Sequence, residues 1–505
     1  MFESANLDHR VDKAAYLREM PKLREALLNA QFDLNQHGRF PVLILIAGVE
    51  GAGKGEAVNL LNEWMDPRHI YTHAFFEPSD EERERPALWR FWRALPPKGK
   101  IGIFFGAWHT MPIIQRVQGL ISEGEFGHAI HEVVRLEKML TDEGVLLLKY
   151  WFHLSKSQQK KRLKSLEKDP ATRWRVTERE WEYFKVYKKF IRVCEPFLRR
   201  TSTGEAPWIV VPGADARYRA LTAGKHLLAA MRERLDEKPV KQLPDRNPPL
   251  LSSANSTNVL RALQLDQPIT KPEYQKQLQK WQGRLNLASR DPNFRNISVA
   301  CVFEGNDAAG KGGAVRRVTS ALDARSYFNV PVAAPTEEER AQPYLWRFWR
   351  HIPRRGRFVF FDRSWYGRVL VERVEGFCKE ADWMRAYTEI NDFEGALLRH
   401  GVVVMKFWLA IGKDEQFKRF KAREKTSFKR FKITEEDWRN RKKWDAYETA
   451  VCDMVDRTST ANAPWTLVEA NNKYHARLKV LKTLTQAVED ALDRVAKEAK
   501  KAKKK

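Results

Sequence analysis

Residues 299–313 read VACVFEGNDAAGKGG, and this stretch decides the fold. It opens with a short run of apolar and β-branched residues, typical of a strand that is buried on both faces of a parallel sheet. The chain then passes from Gly305 to Gly310 and Lys311 with the spacing GxxxxGK. Between a strand and a helix, this spacing predicts a loop whose backbone N–H groups turn towards phosphate oxygens. A glycine-rich turn without a ligand is the alternative.

The loop departs at one position from the usual phosphate-binding sequence. Gly312 follows Lys311, where a Ser or Thr commonly supplies a ligand to Mg²⁺. Asp307 lies inside the loop, and an aspartate beside bound phosphates is costly unless a cation sits between them. We therefore expect Mg²⁺ as cofactor with Asp307 as one ligand, and Lys311 on the transferring phosphate. The predicted phosphate-binding residues of the loop are Gly305, Asn306, Ala308, Ala309, Gly310, Gly312 and Gly313.

A second motif, FDRSWY (361–366), follows the next apolar strand, RFVFFD (357–362). Asp362 stands at the carboxyl end of that strand, where a Walker B carboxylate holds Mg²⁺ directly or through water. Arg363 would then compensate phosphate charge near the metal. An Asp–Arg ion pair that only closes the strand end is the alternative.

The sequence contains one long internal repeat. Shifted by 257 residues, the two halves align without a gap from about Gly48 to Ala220. PALWRFWRALPPKG (86–99) aligns with PYLWRFWRHIPRRG (343–356), and 9 of the 14 positions are identical. The chain is therefore predicted to hold two copies of one domain. We place the copies at 1–235 and 273–505, with a proline-rich, polar linker at 236–272.

Each copy has the same predicted order of elements, a helix followed by four apolar strands with helical stretches between them. The strands are predicted at 41–47, 100–106, 145–152 and 207–211, and at 297–304, 357–362, 402–409 and 464–468. Strands that alternate with helices predict an α/β fold with a doubly wound parallel sheet. In such folds, ligands bind at the carboxyl ends of the strands.

A basic segment follows the third strand of the second copy. Residues 413–432 hold nine Lys and Arg residues and three acidic residues. Beside a phosphate site, such a segment indicates a helical lid that closes basic side chains over the phosphates and excludes water. A solvated helix face is the alternative. The candidate phosphate ligands are Arg419, Arg423, Arg430 and Lys432, with Arg347 of LWRFWR (345–350) as a further one.

The strings EGNDAAGKGG (304–313), LWRFWR (345–350) and FDRSWYGR (361–368), with KRFK downstream, resemble the polyphosphate kinase 2 family. The resemblance spans both copies. The tandem arrangement is similar to the members that phosphorylate AMP to ADP with inorganic polyphosphate. Gly367 stands where many single-domain members carry Asn, so any role of that Asn is absent or moved.

The resemblance also implies roles for individual residues of the second copy. It adds a phosphate contact at Arg368 and a metal ligand at Glu372. The implied catalytic centre consists of Asp307, Lys311, Asp362 and Arg363.

Comparing the copies at the 257-residue shift indicates that the first one is not catalytic. It keeps the loop lysine as Lys54, and the loop aspartate becomes Glu50. The strand-end aspartate and arginine become Phe105 and Gly106, and a phenylalanine cannot coordinate Mg²⁺. We expect chemistry in the second copy alone. The alternative is that both copies work and that another carboxylate substitutes.

The net charge of +25 and the pI of about 9.8 favour a polyanionic partner. No apolar run approaches the roughly 18 residues of a membrane helix, and the first residues do not resemble a secretory signal, so we expect a cytoplasmic protein without a membrane partner. The expected substrates are polyphosphate and AMP, joined by direct in-line transfer of the terminal phosphoryl group. An ATP-dependent nucleoside monophosphate kinase and a nucleic-acid-binding P-loop protein are the alternatives. No specific nucleic-acid partner is expected, and a homo-oligomer is left open.

Overall fold

The computed structural model describes residues 1–7, 9–237, 258–427, 431 and 433–502. It contains two five-stranded parallel sheets, one in each half of the chain. The first sheet has β1 (Val42–Gly48), β2 (Ile70–Ala74), β3 (Ile101–Phe105), β4 (Leu146–His153) and β5 (Trp208–Pro212). The second has β6 (Ser298–Gly305), β7 (Tyr327–Pro331), β8 (Phe358–Asp362), β9 (Val402–Ala410) and β10 (Trp465–Glu469). The predicted fold, two tandem α/β copies with parallel sheets, is confirmed.

Helices flank the strands in the same order in both halves. Those of the first half are α1 (Lys13–His37), α2 (Lys54–Trp64), α3 (Asp80–Arg83), α4 (Trp89–Ala94), α5 (Thr110–Gln118), α6 (Glu123–Asp142), α7 (Lys156–Lys168), α8 (Glu178–Lys185), α9 (Tyr187–Thr201) and α10 (Ala216–Asp236). Those of the second half are α11 (Lys271–Ser289), α12 (Lys311–Thr319), α13 (Glu337–Arg340), α14 (Trp346–Trp349), α15 (Val371–Glu375), α16 (Glu380–Arg399), α17 (Lys413–Glu424), α18 (Glu435–Lys442), α19 (Trp444–Thr458) and α20 (Lys473–Ala502). Short 3-10 helices lie at Ser4–Asn6, Pro67–His69, Arg173–Arg175, Pro292–Asn296, Ala324–Ser326 and Trp365–Arg368.

The strand orders are β2-β3-β1-β4-β5 and β10-β9-β6-β8-β7, so the two sheets have the same topology. β1 and β6 lie at the centre, and their continuous apolar sequence matches burial on both faces. The sequence-based prediction of four strands per copy is one strand short, because β2 and β7 were missed. Both are five-residue edge strands with mostly exposed or half-exposed residues, so they lack the apolar run that marks the others.

The core of the second sheet fixes where its phosphate loop begins. Trp281 and Leu285 of α11 and Leu484 of α20 pack against Val299 and Phe303 of β6 in one apolar cluster. Each fully buried side chain of this size contributes about 1.5–3 kcal/mol. The cluster therefore holds the carboxyl end of β6, from which the loop leaves, in a rigid position.

A buried ion pair recurs in both halves. Lys406 of β9 donates to Glu394 of α16 at 2.8 Å and to the hydroxyl of Tyr366 at 3.0 Å. Its counterpart Lys149 of β4 donates to Glu137 at 2.6 Å. Removing one partner of a buried pair costs about 3–5 kcal/mol, so these pairs fix the facing helix against each sheet.

The chain forms two compact units, and each contains a short segment from the other half. Gln342 Nε2 donates to the carbonyl of Leu95 at 3.1 Å in the first unit. In the second, Arg354 pairs with Glu84. We keep 1–235, 236–272 and 273–505 as the proposed domain limits along the sequence. The first unit is Met1–Pro78, Arg90–Leu243 and Pro335–Trp346, and the second is Ser79–Trp89, Pro244–Ala334 and Arg347–Lys505.

None of the helices in the described part of the chain has the length and apolar character of a membrane span.

Candidate active site

The phosphate loop of the second half leaves β6 at a glycine that no other residue could replace. Gly305 has φ 145°, and a Cβ atom there would lie 2.4 Å from the carbonyl oxygen of Leu409 in β9. Asn306 follows, and its side-chain oxygen accepts from the backbone N–H of Ile411 at 3.1 Å. Lys311 begins α12 and folds back to donate to the carbonyl of Gly305 at 2.9 Å. The ammonium group is therefore held over the loop that would cradle phosphate.

Two residues at the site adopt left-handed backbone conformations that side chains disfavour. They are Ala308 in the loop, with φ 66°, and Arg363 after β8, with φ 63°. Within the described residues, no other non-glycine position has a positive φ. Such conformations cost about 1–3 kcal/mol each and cluster at functional sites. The backbone N–H of Arg363 donates to the carbonyl of Phe303 at 3.1 Å, which fixes the turn that aims its side chain.

Asp307 and Arg363 form the charged centre of the site. Asp307 is mostly buried, accepts from Asn440 of α18 at 2.9 Å, and lies 3.7 Å from the guanidinium of Arg363. Arg363 also donates to Glu436 at 3.2 Å. Burial lowers the pKa of Arg363, but the charges of Asp307 and Glu436 outweigh it and raise the pKa above its ordinary value. The arginine is therefore charged and anchored between two carboxylates.

A cavity of about 530 Å³ opens beside the loop. Three carboxylates line it, those of Asp307, Asp362 and Asp437. Burial, followed by repulsion from Asp307, raises the pKa of Asp437. Basic side chains outnumber the acidic ones, so the cavity suits an anion with several charges. The basic lining is Lys311, Arg316, Arg317, Arg363, Arg419, Arg423, Lys473 and Arg477.

A second, smaller cavity lies on the other side of the same centre. It shares Asn306, Asp307, Lys311 and Arg363 with the large cavity. Apart from the carboxylates of Glu304 and Glu436 and the amides of Gln416 and Asn440, its remaining wall is apolar and aromatic, and includes Leu370, Val371, Trp408, Trp444 and Tyr447. The charged centre therefore lies between a basic space and an apolar one.

Most of the predicted site residues come together at the large cavity, although their roles remain predictions. Arg430 and Lys432 lie outside the described residues. Gly305 lines only the smaller cavity. The predicted residues that line the large cavity are Asn306, Asp307, Ala308, Ala309, Gly310, Lys311, Gly312, Gly313, Asp362, Arg363, Arg419 and Arg423.

Arg419 lines the cavity, but its N–H groups donate hydrogen bonds to other groups of the protein. It is buried in α17, and its Nε donates to Glu415 at 2.6 Å. One terminal nitrogen donates to the loop carbonyls of Ala308 and Ala309 at 3.0 and 3.1 Å. The other donates to the carbonyls of Ala470 and Asn471 at 2.7 and 2.8 Å. All five N–H groups are used, so the geometry favours a role in positioning the loop over direct contact with phosphate.

Three other predicted residues do not line either cavity among the described residues. Arg347 donates to the carbonyl of Ala333 at 3.0 Å. Arg368 and Glu372 pair with each other at 3.0 Å, one turn apart after β8. Their implied roles as phosphate and metal ligands therefore stay predictions that this arrangement does not favour.

Comparison with known proteins gives one family match in each half of the chain. The model of the family described as polyphosphate kinase 2 matches residues 10–239 and 268–496. This chain belongs to the polyphosphate kinase 2 family. The predicted resemblance is therefore confirmed, and so is the presence of two family domains in tandem.

Individual relatives match nearly the whole chain. A polyphosphate:AMP phosphotransferase of Pseudomonas aeruginosa is 60% identical over 491 residues, 97% of this chain and 99% of the relative. One from Acinetobacter johnsonii is 37% identical over 485 residues, 95% of this chain and 98% of the relative. A crystal structure of a polyphosphate kinase 2 from P. aeruginosa aligns with TM-score 0.88 and 57% identity, and covers 98% of this chain and 99% of that one.

Four basic residues that line the large cavity were missed by sequence reasoning. Arg316 and Arg317 lie on α12, and Lys473 and Arg477 on α20, outside every quoted motif. Comparison of the two copies could have identified them, because the first copy has no basic residue at the equivalent positions. At the 257-residue shift, the first copy has Asn59, Leu60, Ala216 and Ala220 at these positions.

A buried carboxylate in the second copy was also missed. Glu304 ends the apolar part of β6, lines the smaller cavity, and accepts from the hydroxyl of Ser364 at 2.7 Å. Burial raises its pKa, and the positive charge of Lys311 opposes that shift. The first copy has Ala47 and Ala107 at these two positions, so the pair belongs to the copy with the complete charged centre.

Proposed function

We propose that this chain transfers the terminal phosphoryl group of inorganic polyphosphate to AMP, giving ADP, by direct in-line transfer with Mg²⁺. One observation carries the proposal. A phosphate loop and the Asp362–Arg363 strand end share one basic cavity, in a chain similar over nearly its full length to polyphosphate:AMP phosphotransferases.

The large cavity is the proposed donor site. Eight basic side chains line it against three acidic ones, and polyphosphate carries roughly one negative charge per phosphate. A long polyanion can meet several of these side chains at once, whereas a nucleotide monophosphate meets one or two. The excess of positive charge therefore favours a chain of phosphates as the occupant.

The transfer step requires little covalent chemistry from the protein. Backbone N–H groups of the loop and the Lys311 ammonium group hold the transferring phosphate, and Arg363 compensates the charge that develops on its oxygens. The acceptor phosphate oxygen attacks the terminal phosphorus as the bond to the rest of the polyphosphate breaks. Among the described residues that line the two cavities, none is a histidine, which supports direct transfer.

Asp307 and Asp362 are the proposed residues for Mg²⁺. The described part of the chain has no group of three His, Cys, Asp or Glu side chains arranged to hold a metal. Mg²⁺ at phosphotransfer sites is held by one or two carboxylates together with substrate phosphates and water. Two carboxylates on one basic cavity fit that donor set, and the bound ion would neutralise phosphate charge.

The smaller cavity is the proposed acceptor site. Its apolar wall suits a nucleoside, and Lys311 and Arg363 at its charged end suit the acceptor phosphate. Replacing Leu370 with Ala should raise the KM for AMP about tenfold and leave the KM for polyphosphate unchanged. Equal increases in both KM values would contradict this assignment.

A donor assay tests the proposal as a whole. AMP is offered with either polyphosphate or ATP at fixed Mg²⁺, and ADP formed is measured. We expect ADP from polyphosphate. Phosphorylation of AMP with ATP only would establish the nucleoside monophosphate kinase instead. No transfer from either donor, with nucleic-acid binding that survives about 200 mM salt, would favour the nucleic-acid-binding protein.

A further inference from the structure

The first copy has a carboxylate in the place where the second copy has its phosphate cavity. Glu56 lies in the first turn of α2, two residues after the loop lysine. Its carboxylate accepts from Arg162 at 2.8 Å, from Arg175 at 3.0 Å, and from Arg219. Three guanidinium groups around one anion are typical of a site that binds phosphate. Here the anion is a carboxylate of the protein itself.

The repeat shows that this carboxylate and its buried arginine are present in the first copy and absent from the second. At the 257-residue shift, Glu56 corresponds to Gly313 and Arg219 to Ala476, and both counterparts line the large cavity. Arg219 is buried against the loop, where a Cβ atom on Gly53 would lie 2.2 Å from its central guanidinium carbon. In the second copy the equivalent space beside Gly310 is open, and the guanidinium of Arg477 lies 3.5 Å from the place of a Cβ atom on Gly313.

The loop lysine of the first copy is also engaged. Lys54 pairs with the Glu50 carboxylate at 2.9 Å and donates to the carbonyl of Gly48 at 3.0 Å. A phosphate entering this loop would have to displace Glu50 from the lysine and Glu56 from the arginines. Both displaced carboxylates would then lie beside the new anion, which is unfavourable.

We propose that the phosphate loop of the first copy is a latent phosphate site, closed by the Glu56 carboxylate. With Glu56 in place, the loop does not bind phosphate or polyphosphate. Without it, Arg162, Arg175 and Arg219 keep their positive charge and admit a phosphate group. This inference concerns anion binding alone and does not rest on the proposed function.

The test measures how many tripolyphosphate ions bind per full-length chain by isothermal titration calorimetry. Glu56→Gly, which installs the residue of the second copy, should bind one ion more than wild type. Adding Lys54→Ala to that variant should remove the extra site and so assign it to the loop. Glu63→Ala, which changes an exposed acid on the same helix, should bind the wild-type number.

Two results would overturn the proposal. The first is a wild-type chain that loses one tripolyphosphate site when Lys54 is changed to Ala, because the loop would then already be open. The second is a Glu56→Gly chain with a wild-type circular dichroism spectrum and no extra site. If Glu56→Gly does not fold, Glu56→Ala removes the same carboxylate with a better helix former, and the same two outcomes apply to it.

Discussion

Replacing Arg419 with lysine separates positioning of the phosphate loop from simple charge. The guanidinium uses five N–H groups, on Glu415 and on four backbone carbonyls, two of which belong to the loop. A lysine keeps the positive charge but has three N–H groups on one nitrogen, so at least two acceptors lose their donor. Each buried acceptor left without a partner costs about 1–3 kcal/mol, which gives a loss of about 2–6 kcal/mol.

The assay is kcat/KM for ADP formation from AMP and polyphosphate, with unfolding by urea measured in parallel. If the lower value, about 2 kcal/mol, is the free energy lost in ordering the phosphate loop, kcat/KM for Arg419→Lys decreases about 30-fold. The variant chain is also less stable to urea. The matched control is Arg162→Lys, the same change at the equivalent position of the first copy. That variant should keep its kcat/KM. Wild-type kcat/KM and stability in Arg419→Lys would refute the positioning role, since charge alone would then be sufficient.

Three further changes have distinct expected outcomes. Lys311→Ala should lower kcat about 100-fold or more, whereas Lys54→Ala should leave kcat nearly unchanged; equal losses would make the first copy catalytic. Arg316→Asn should raise the KM for polyphosphate and lower the slope of log KM against log KCl by up to about one unit, while the KM for AMP stays constant. Burial, then the charge of Lys149, lowers the pKa of His109 to about 3. As the pH falls from 6.5, the unfolded chain binds a proton that the folded chain does not, so stability decreases by about 2 kcal/mol at pH 5. His109→Tyr, which installs the residue of the second copy, should remove that loss in urea unfolding at pH 7 and pH 5, and an unchanged loss would contradict it.

The sequence predicted those parts of the fold whose residues form a continuous apolar run or a motif. β1 and β6 are buried on both faces, so their apolar runs are visible in the sequence, and the GxxxxGK spacing follows β6 directly. The edge strands β2 and β7 were missed because an edge strand with exposed residues needs no such run. The other two edge strands, β5 and β10, are more buried and were predicted, so the hydrophobic pattern finds buried strands better than exposed ones.

The candidate site was predictable to the extent that its residues lie in motifs. Asp307, Lys311 and Asp362 come from motifs and line one cavity. The role of Arg419 could not be read from a basic run, because the sequence does not tell whether a guanidinium group meets phosphate or backbone carbonyls. Arg477 lies far along the chain on α20, and only its replacement by Ala220 in the first copy marks it.

The Asp362→Asn variant tests most directly whether the second copy carries the transfer. The substitution is nearly isosteric and removes the charge proposed to hold Mg²⁺ at the strand end. The measurement is the rate of ADP formation from AMP and polyphosphate by the full-length variant, at saturating Mg²⁺ and with circular dichroism as a check of the fold. We predict a loss of about 1,000-fold or more with an unchanged spectrum. The first copy has Phe105 at the equivalent position, so the variant chain has no strand-end aspartate in either copy. A rate near that of wild type would therefore contradict the assignment of the reaction to this site.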